Sequence, residues 1–305
     1  MSRINLGLKL SLHDVLLIFV VTIWGANFGF VKTALNEVQP LAFNVLRLLI
    51  GVPAMLITLF VFEKRLWLPG RRVFLQRGDI LPFAALSIFL MGDFTLYVKG
   101  LALTSSANAS ILYSMAPVTV AILSMFRGAR FSRGCVLGLG LALGGVLLVI
   151  TGQDAPLTAL AGQQTRLGDL IVLGAVLSWA FFSHFSVHVL DRYSAVRVTT
   201  YAMMGAAVTS IAFFLPSFLG QSWAGLSPMG WAGVFYSSLL SNTMCLAIWY
   251  YAISKLGPVK VMTFEYLVPV IALFLASLLW KEAVLPAQVL GASLVLLGVR
   301  LVHSS

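Results

Sequence analysis

The chain is short of charge, and shortest of acid. Only 10% of its 305 residues are charged and 60% are hydrophobic, where an ordinary soluble domain carries about a quarter charged residues. With a mean hydropathy of +0.98, this composition excludes such a domain. Cysteine is scarce: Cys135 and Cys245 both sit in apolar runs and read as small buried hydrophobes, with no disulfide framework. His184, His188 and Asp191 superficially fit a metal site, but no second cluster completes a ligand set, so neither metal nor cofactor is expected. The sequence holds no G-x-x-x-x-G-K-[ST] loop, which excludes ATP hydrolysis by that route. H-E-x-x-H, G-x-S-x-G and a paired acid site are missing too. An enzyme is therefore not expected, and a polytopic membrane enzyme is the weaker alternative, since the acidic residues are few. A passive channel ranks third, because the helices look packed and aromatic-lined.

What is present is long apolar runs. A spanning helix needs about 20 apolar residues, and ten such runs are read at 14–35, 40–62, 79–98, 106–126, 134–151, 168–190, 196–217, 229–252, 259–279 and 284–302. The expected class is an all-α integral membrane protein of ten transmembrane helices. A basic start precedes the first run, as in a signal peptide, but no small-residue cleavage site follows, so the run is kept as a permanent helix.

A net charge of +10 invites a nucleic-acid reading, which the placement of the basic residues answers. With the N-terminus cytoplasmic, 15 of the 20 fall inside: Arg3, Lys9, Lys64, Arg65, Arg71, Arg72, Arg77, Arg127, Arg130, Arg133, Arg192, Arg197, Lys255, Lys260 and Arg300. Lys32, Lys99, Arg166 and Lys281 fall outside, and Arg47 lies within a span. The positive-inside rule selects both termini cytoplasmic. Nucleic acid is not expected as a partner; the lipid bilayer and a small-molecule substrate are.

The chain also repeats itself. At an offset of 155, Asp14, Val21, Trp24, Phe30 and Leu35 fall on Asp169, Val176, Trp179, Phe185 and Leu190; at 152, Pro117 falls on Pro269 and Tyr97 on Trp249. Two five-helix repeats, 1–152 and 153–305, are expected. Because five is odd, the second enters the membrane from the opposite face, giving the inverted pair that serves alternating access. Pro117 and Pro269 interrupt equivalent spans and mark helix bends, since proline frees a backbone carbonyl that neighbours must satisfy. The fifth span holds Gly134, Gly138, Gly140, Gly144 and Gly145, and the tenth Gly291 and Gly298. Such spacing lets backbones approach closely, so both are read as peripheral packing helices.

Ionisable groups inside spans are costly and invite functional readings. Arg47 and Asp93 lie at comparable depths, roughly 10 and 8 Å from the outer face, and are expected to pair, either as a structural brace or as a gate. Glu265 and His184 lie at matching depth from the inner face and form a second candidate pair, titrating near neutral pH. Lys32 and Lys99 sit at outer helix ends, where long side chains snorkel to water. Trp24 and Trp179 lie eleven residues into their spans, near the midplane. With Asn27, Asn44, Tyr97, Tyr113, Trp249, Glu265 and Tyr266 they are the candidate substrate-binding residues, a cavity of apolar walls with a few polar handles. The mechanism expected is rocking of the two halves about it.

At these residues the sequence resembles the drug/metabolite transporter superfamily, specifically its ten-helix EamA-type exporters, over nearly the whole chain. The resemblance rests on Trp24–Phe28, Asn44–Arg47, and Ala107–Ser110 leading to Pro117. Its most specific parts are Leu256–Val259, Tyr266–Val270, Lys281–Glu282, Gln288–Gly291 and Gly298–Val299. Lys281 replaces the family's usual glycine, and Ala129–Arg130 replaces its Gly-Glu; both lie at helix ends and bear on local turns. The resemblance implies a multi-pass bacterial-type inner-membrane transporter working by alternating access, with export of amino acids, aromatic ones first. Another amphipathic metabolite or drug is the alternative cargo. Proton-coupled and gradient-driven export are both open on the sequence, as is oligomeric state.

Overall fold

The computed structural model describes residues 11–65, 74–125, 132–151, 160–256, 261–281 and 283–303. Every regular element among them is helical. In chain order these are α1 (Leu12–Leu35), α2 (Pro40–Arg65), α3 (Ile80–Leu103), α4 (Ser106–Tyr113), α5 (Ala116–Met125) and α6 (Arg133–Thr151). Then follow α7 (Leu160–Leu190), α8 (Ala195–Leu219), α9 (Pro228–Phe235), a π-helical stretch (Tyr236–Cys245), α10 (Leu246–Leu256), α11 (Leu267–Trp280) and α12 (Pro286–His303). Among the described residues six stretches are long and apolar enough to cross a bilayer: α1, most of α2, α3 with the turn before it, most of α7, α8, and the composite α9–π–α10. Arg71, Arg72, Arg127, Ala129, Arg130, Glu282 and the 152–153 junction lie outside the described residues.

Local chemistry sets the ends. Ser11 and Asp14 form a reciprocal capping box on α1, Ser194 caps α8, and Ser227 caps α9 with Pro228 directly behind it, each satisfying N–H groups the helix cannot. α7 starts at Leu160, inside the expected outer loop 152–167, because Leu160–Arg166 is rich in good helix formers. The expected continuous span 106–126 is broken. Ser114 and Met115 turn between α4 and α5, and Pro117 falls in the first turn of α5. Pro269 falls in the first turn of α11, after a 3-10 turn at Thr263–Tyr266. Proline lacks an N–H and is tolerated where a helix starts, so the chain restarts at each proline.

α1 packs along α11 and the α9–π–α10 span, α7 packs along α3 and α4–α5, and α2 lies against α8. Their shared interior is apolar: Leu17, Val20 and Val31 of α1, Leu90 and Val98 of α3, and Val172 of α7 are fully buried. Outward, Phe60, Leu137, Val208, Phe213 and Phe274 are each at least 64% exposed. That apolar belt would be an aggregation liability in water and is the normal face of a protein in lipid. α6 and α12 pack chiefly on each other. A Cβ on Gly145 would stand 2.6 Å from the Gly291 carbonyl oxygen, and one on Gly298 would strike the Gly138 carbonyl; only glycine permits that approach.

The helix ends are tied across the fold. Lys32 donates from Nζ to the carbonyls of Leu101, Ala102 and Thr104 at 2.7–3.1 Å, capping the C-terminus of α3, so it is a structural clamp in addition to any anchoring role. Buried Asp169 accepts from Thr104 and Asn108, and Gln288 of α12 donates to Asn108 at 2.6 Å. Two connections cap opposite helices. Glu37, between α1 and α2, accepts from the Ser227 hydroxyl and amide at 2.7 and 2.8 Å. Between α7 and α8, Arg192 ion-pairs with Asp79 at the start of α3, and Tyr193 donates to the same carboxylate at 2.7 Å.

Two predictions follow from these contacts. Gly144→Ala, with nothing near its added methyl, should hold or raise the thermal midpoint in detergent. Gly145→Ala should lower stability by about 1–3 kcal/mol; equal midpoints would contradict the packing. Hydrogen bonds from Ser227 hold the Glu37 carboxyl below its ordinary value. Its contribution is present above the unfolded pKa of about 4.3 and is lost as pH falls through the folded value. The midpoint difference between the native chain and Glu37→Gln should therefore be present at pH 7 and shrink as pH falls below about 4.3; a difference constant with pH would contradict the contact.

Candidate functional site

Between the α1 group and the α7 group lies a cavity of about 690 Å³ of atom-free space, counting its open part. α1 lines it with Trp24, Asn27 and Phe28, which at spacings of three and four share one helix face. α3 brings Asp93, Phe94 and Tyr97 by the same periodicity, and Tyr113 enters from the end of α4. Trp179 comes from α7, Ser241 and Asn242 from the π stretch, and Glu265 from the 3-10 turn before α11.

The π stretch explains why Ser241 and Asn242 reach the cavity. A π turn holds one residue more than an α turn and recurs at functional sites. Here the Thr243 hydroxyl sits 2.8 Å from the Ser238 carbonyl oxygen and 3.2 Å from that of Gly51 on α2. The Ser241 carbonyl accepts the Trp24 indole N–H at 3.3 Å. The ring of Trp24 then packs on Trp249 at 4.8 Å and edge-on to Trp179 at 5.9 Å.

Arg47 forms the back wall, 1% exposed. Nε donates to Asn44 Oδ1 at 3.0 Å, Nη2 to the Phe94 carbonyl at 2.8 Å and Nη1 to Ser237 Oγ at 3.4 Å. The guanidinium also lies 4.6 Å from the centre of the Phe94 ring. A buried cation needs such partners to offset its desolvation. The expected direct pair with Asp93 is not made. Asp93 instead accepts from the Tyr113 hydroxyl at 2.7 Å, because the carbonyls, amide and rings around Arg47 already occupy its fork. Tyr97 stands between, its ring near the guanidinium and edge-on to Tyr113, its hydroxyl accepting from Asn27 Nδ2 at 3.2 Å. Glu265 is likewise not paired with His184. It accepts from Trp179 Nε1 at 3.1 Å, while the His184 ring packs edge-on to Phe185.

Of the nine residues assigned to substrate from sequence, Trp24, Asn27, Tyr97, Tyr113, Trp179 and Glu265 line the cavity. Asn44 stands behind Arg47, and Trp249 is fully buried against Trp24. Tyr266 lies one residue past Glu265, off the lining. Sequence reasoning missed Phe28, Phe94, Ser241, Asn242, Leu246 and Val268. A usable signal existed for two of them: Pro228–Leu256 has the lowest hydropathy of the six long spans, 1.2 against 1.7–2.0, owing to its Ser, Asn and Thr run. Among the described residues no three His, Cys, Asp or Glu gather as a metal group. The arrangement suits holding an organic solute between aromatic rings with a few polar contacts.

An all-helical bundle with a lipid-facing belt and a central aromatic cavity defines a membrane transporter. The chain belongs to the EamA-like transporter family, whose model matches residues 11–151 and again 166–304. It is 24% identical to an uncharacterized transporter of Bacillus subtilis (strain 168), over 93% of this chain and 94% of that one. It is 26% identical to a probable amino-acid metabolite efflux pump of Escherichia coli (strain K12), over 93% and 92%. A crystal structure at 16% identity matches with a TM-score of 0.65 over 95% of both chains, a likeness of fold alone.

Arg47→Met would strand the Asn44 and Phe94 acceptors in a dry wall. A loss of roughly 2–5 kcal/mol is expected, read as a lower thermal midpoint in detergent, with Arg47→Lys intermediate. An unchanged midpoint in both variants would show that the guanidinium does not brace α2 to α3.

Proposed function

We propose that this chain is a secondary transporter of the bacterial-type inner membrane that exports amino acids, aromatic ones first, by alternating access. The observation that carries the reading is the cavity wall, where Trp24, Phe28, Phe94, Tyr97, Tyr113 and Trp179 surround a few amide and carboxyl groups. Rings of this kind stack on an aromatic side group at about 0.5–1.5 kcal/mol per pair beyond area burial. The name of the Escherichia coli relative, an amino-acid metabolite efflux pump, points the same way.

In this reading the chain crosses the membrane ten times as two inverted five-helix repeats with cytoplasmic termini. Support comes from packing that survives exchange of the halves. α1 beside α9–π–α10 answers α7 beside α3, α1 beside α11 answers α7 beside α4–α5, and α2–α8 and α6–α12 answer themselves. The family model's two matches agree with the same division. The units that rock are then not the sequence halves. α1 moves with the second half's helices and α7 with the first's, about a cavity that both groups line. Glu37–Ser227 and Asp79–Arg192 tie loops to helices at opposite ends of this frame. The source of energy is either a proton gradient or the substrate's own.

The test is counterflow into proteoliposomes, with labelled phenylalanine outside and unlabelled solutes inside, with and without a proton gradient. Phenylalanine, tyrosine or tryptophan inside should stimulate uptake. Trp179→Ala, which loses a stacking face and the Glu265 partner, should reduce exchange about tenfold or more. No exchange with any amino acid, from folded and correctly inserted protein, would sink this reading and leave another amphipathic metabolite or drug as the cargo.

A further inference from the structure

Three lining residues, each at least nine-tenths buried, carry a side-chain atom with no hydrogen-bond partner among the described residues: Asn27 Oδ1, Asn242 Nδ2 and Glu265 Oε2. An unmet polar atom in a dry wall costs about 1–3 kcal/mol. Carried on three residues that line one cavity, they make a pattern of two acceptors and one donor. Two are held by the other half of the same side chain and the third by its place in the main chain. Asn27 is fixed by its Nδ2 contact to Tyr97, Glu265 by Trp179, and Asn242 by the π turn.

The pattern also lacks something. Arg47, the cation in the wall, already turns each of its three nitrogens to a protein partner, Asn44, Ser237 and Phe94, and the Phe94 ring lies against it. A solute's carboxylate meets a guanidinium already engaged with the protein at every nitrogen, and one amide N–H without a partner. A solute's ammonium finds a carboxyl oxygen, an amide oxygen and the faces of Trp24 and Trp179, which attract cations as well as stack. Charge recognition in the cavity is therefore one-sided.

We propose that the cavity recognises an α-amino carbonyl compound through its ammonium group, which donates to Glu265 Oε2 and Asn27 Oδ1, while Asn242 Nδ2 donates to the carbonyl oxygen and no free carboxylate is required. This rests on the transport reading above and specifies its substrate class: aromatic or apolar amino acids, together with their amides and esters. Hydroxy and keto acids of the same shape are rejected, because a site built for an N–H donor leaves its buried acceptors unpaired with them.

The experiment is ligand titration of purified full-length protein in detergent by quenching of its tryptophan fluorescence, using phenylalanine, phenylalanine amide, phenethylamine and phenyllactate. Phenylalanine and its amide should bind within about fivefold of one another, phenethylamine more weakly, and phenyllactate at least about 100-fold more weakly. Glu265→Gln keeps the shape and replaces the carboxyl group with an amide, and should cut the phenylalanine–phenyllactate ratio to about tenfold or less. If the variant does not fold, the four ligands on the native chain decide alone. Phenyllactate binding within tenfold of phenylalanine would overturn the proposal and leave amino-acid export standing. Binding of phenylalanine but not its amide would also overturn it, by making the carboxylate essential. No binding by any of the four, to protein with a native unfolding transition, would overturn both.

Discussion

A polar group taken into a dry helical bundle must find partners there, and much of the fold's interior follows from how Arg47 finds its own. Its guanidinium joins Asn44 on its own helix, a main-chain carbonyl of α3 and a serine of the π stretch. That single side chain fixes α2 against two neighbours and sets the height at which Phe94 and Tyr97 present their rings. Behind it, Asn44 passes the contact on to Thr95 at 3.1 Å. Arg47 borders the cavity with each of its nitrogens already held by a neighbour.

The same rule shapes the composite span. A π stretch displaces backbone bonds, and the displaced groups are taken up by Thr243 and by the Trp24 indole. Trp24 is thereby held between Trp249 and Trp179, and Trp179 in turn holds Glu265. A run of aromatic rings thus connects the main-chain irregularity on one helix to the carboxyl group on another. The same rings that pack these helices together border the cavity, where Asn27, Asn242 and Glu265 carry unmet polar atoms.

Much of this was legible in the sequence. Hydropathy gave helices in a membrane, since length and apolar content decide that class almost alone. Glycine spacing marked α6 and α12 as packing helices, because close approach needs a missing Cβ whatever the rest of the fold; that they pack on each other came from the structure. Trp24, Asn27, Tyr97, Tyr113, Trp179 and Glu265 could be nominated because polar and aromatic groups at mid-span are expensive or conspicuous. Partnerships were not legible. Depth along a helix says nothing of azimuth, so Arg47 and Asp93 matched in depth yet found Phe94 and Tyr113, and Glu265 found Trp179 instead of His184. The π stretch was hidden as well: a polar run marks a costly span, but which carbonyl it frees depends on Gly51 and Trp24, more than 190 residues away in the chain.

The central claim is that one aromatic cavity holds the substrate and is reached from each side in turn. The measurement that tests it most directly is labelling of Ser241→Cys, in a chain whose Cys135 and Cys245 have been replaced, by an impermeant maleimide added to one side of oriented vesicles at a time. The account predicts labelling from either side, slowed from both by phenylalanine. Labelling from one side only, or at a rate that phenylalanine leaves unchanged, would contradict it.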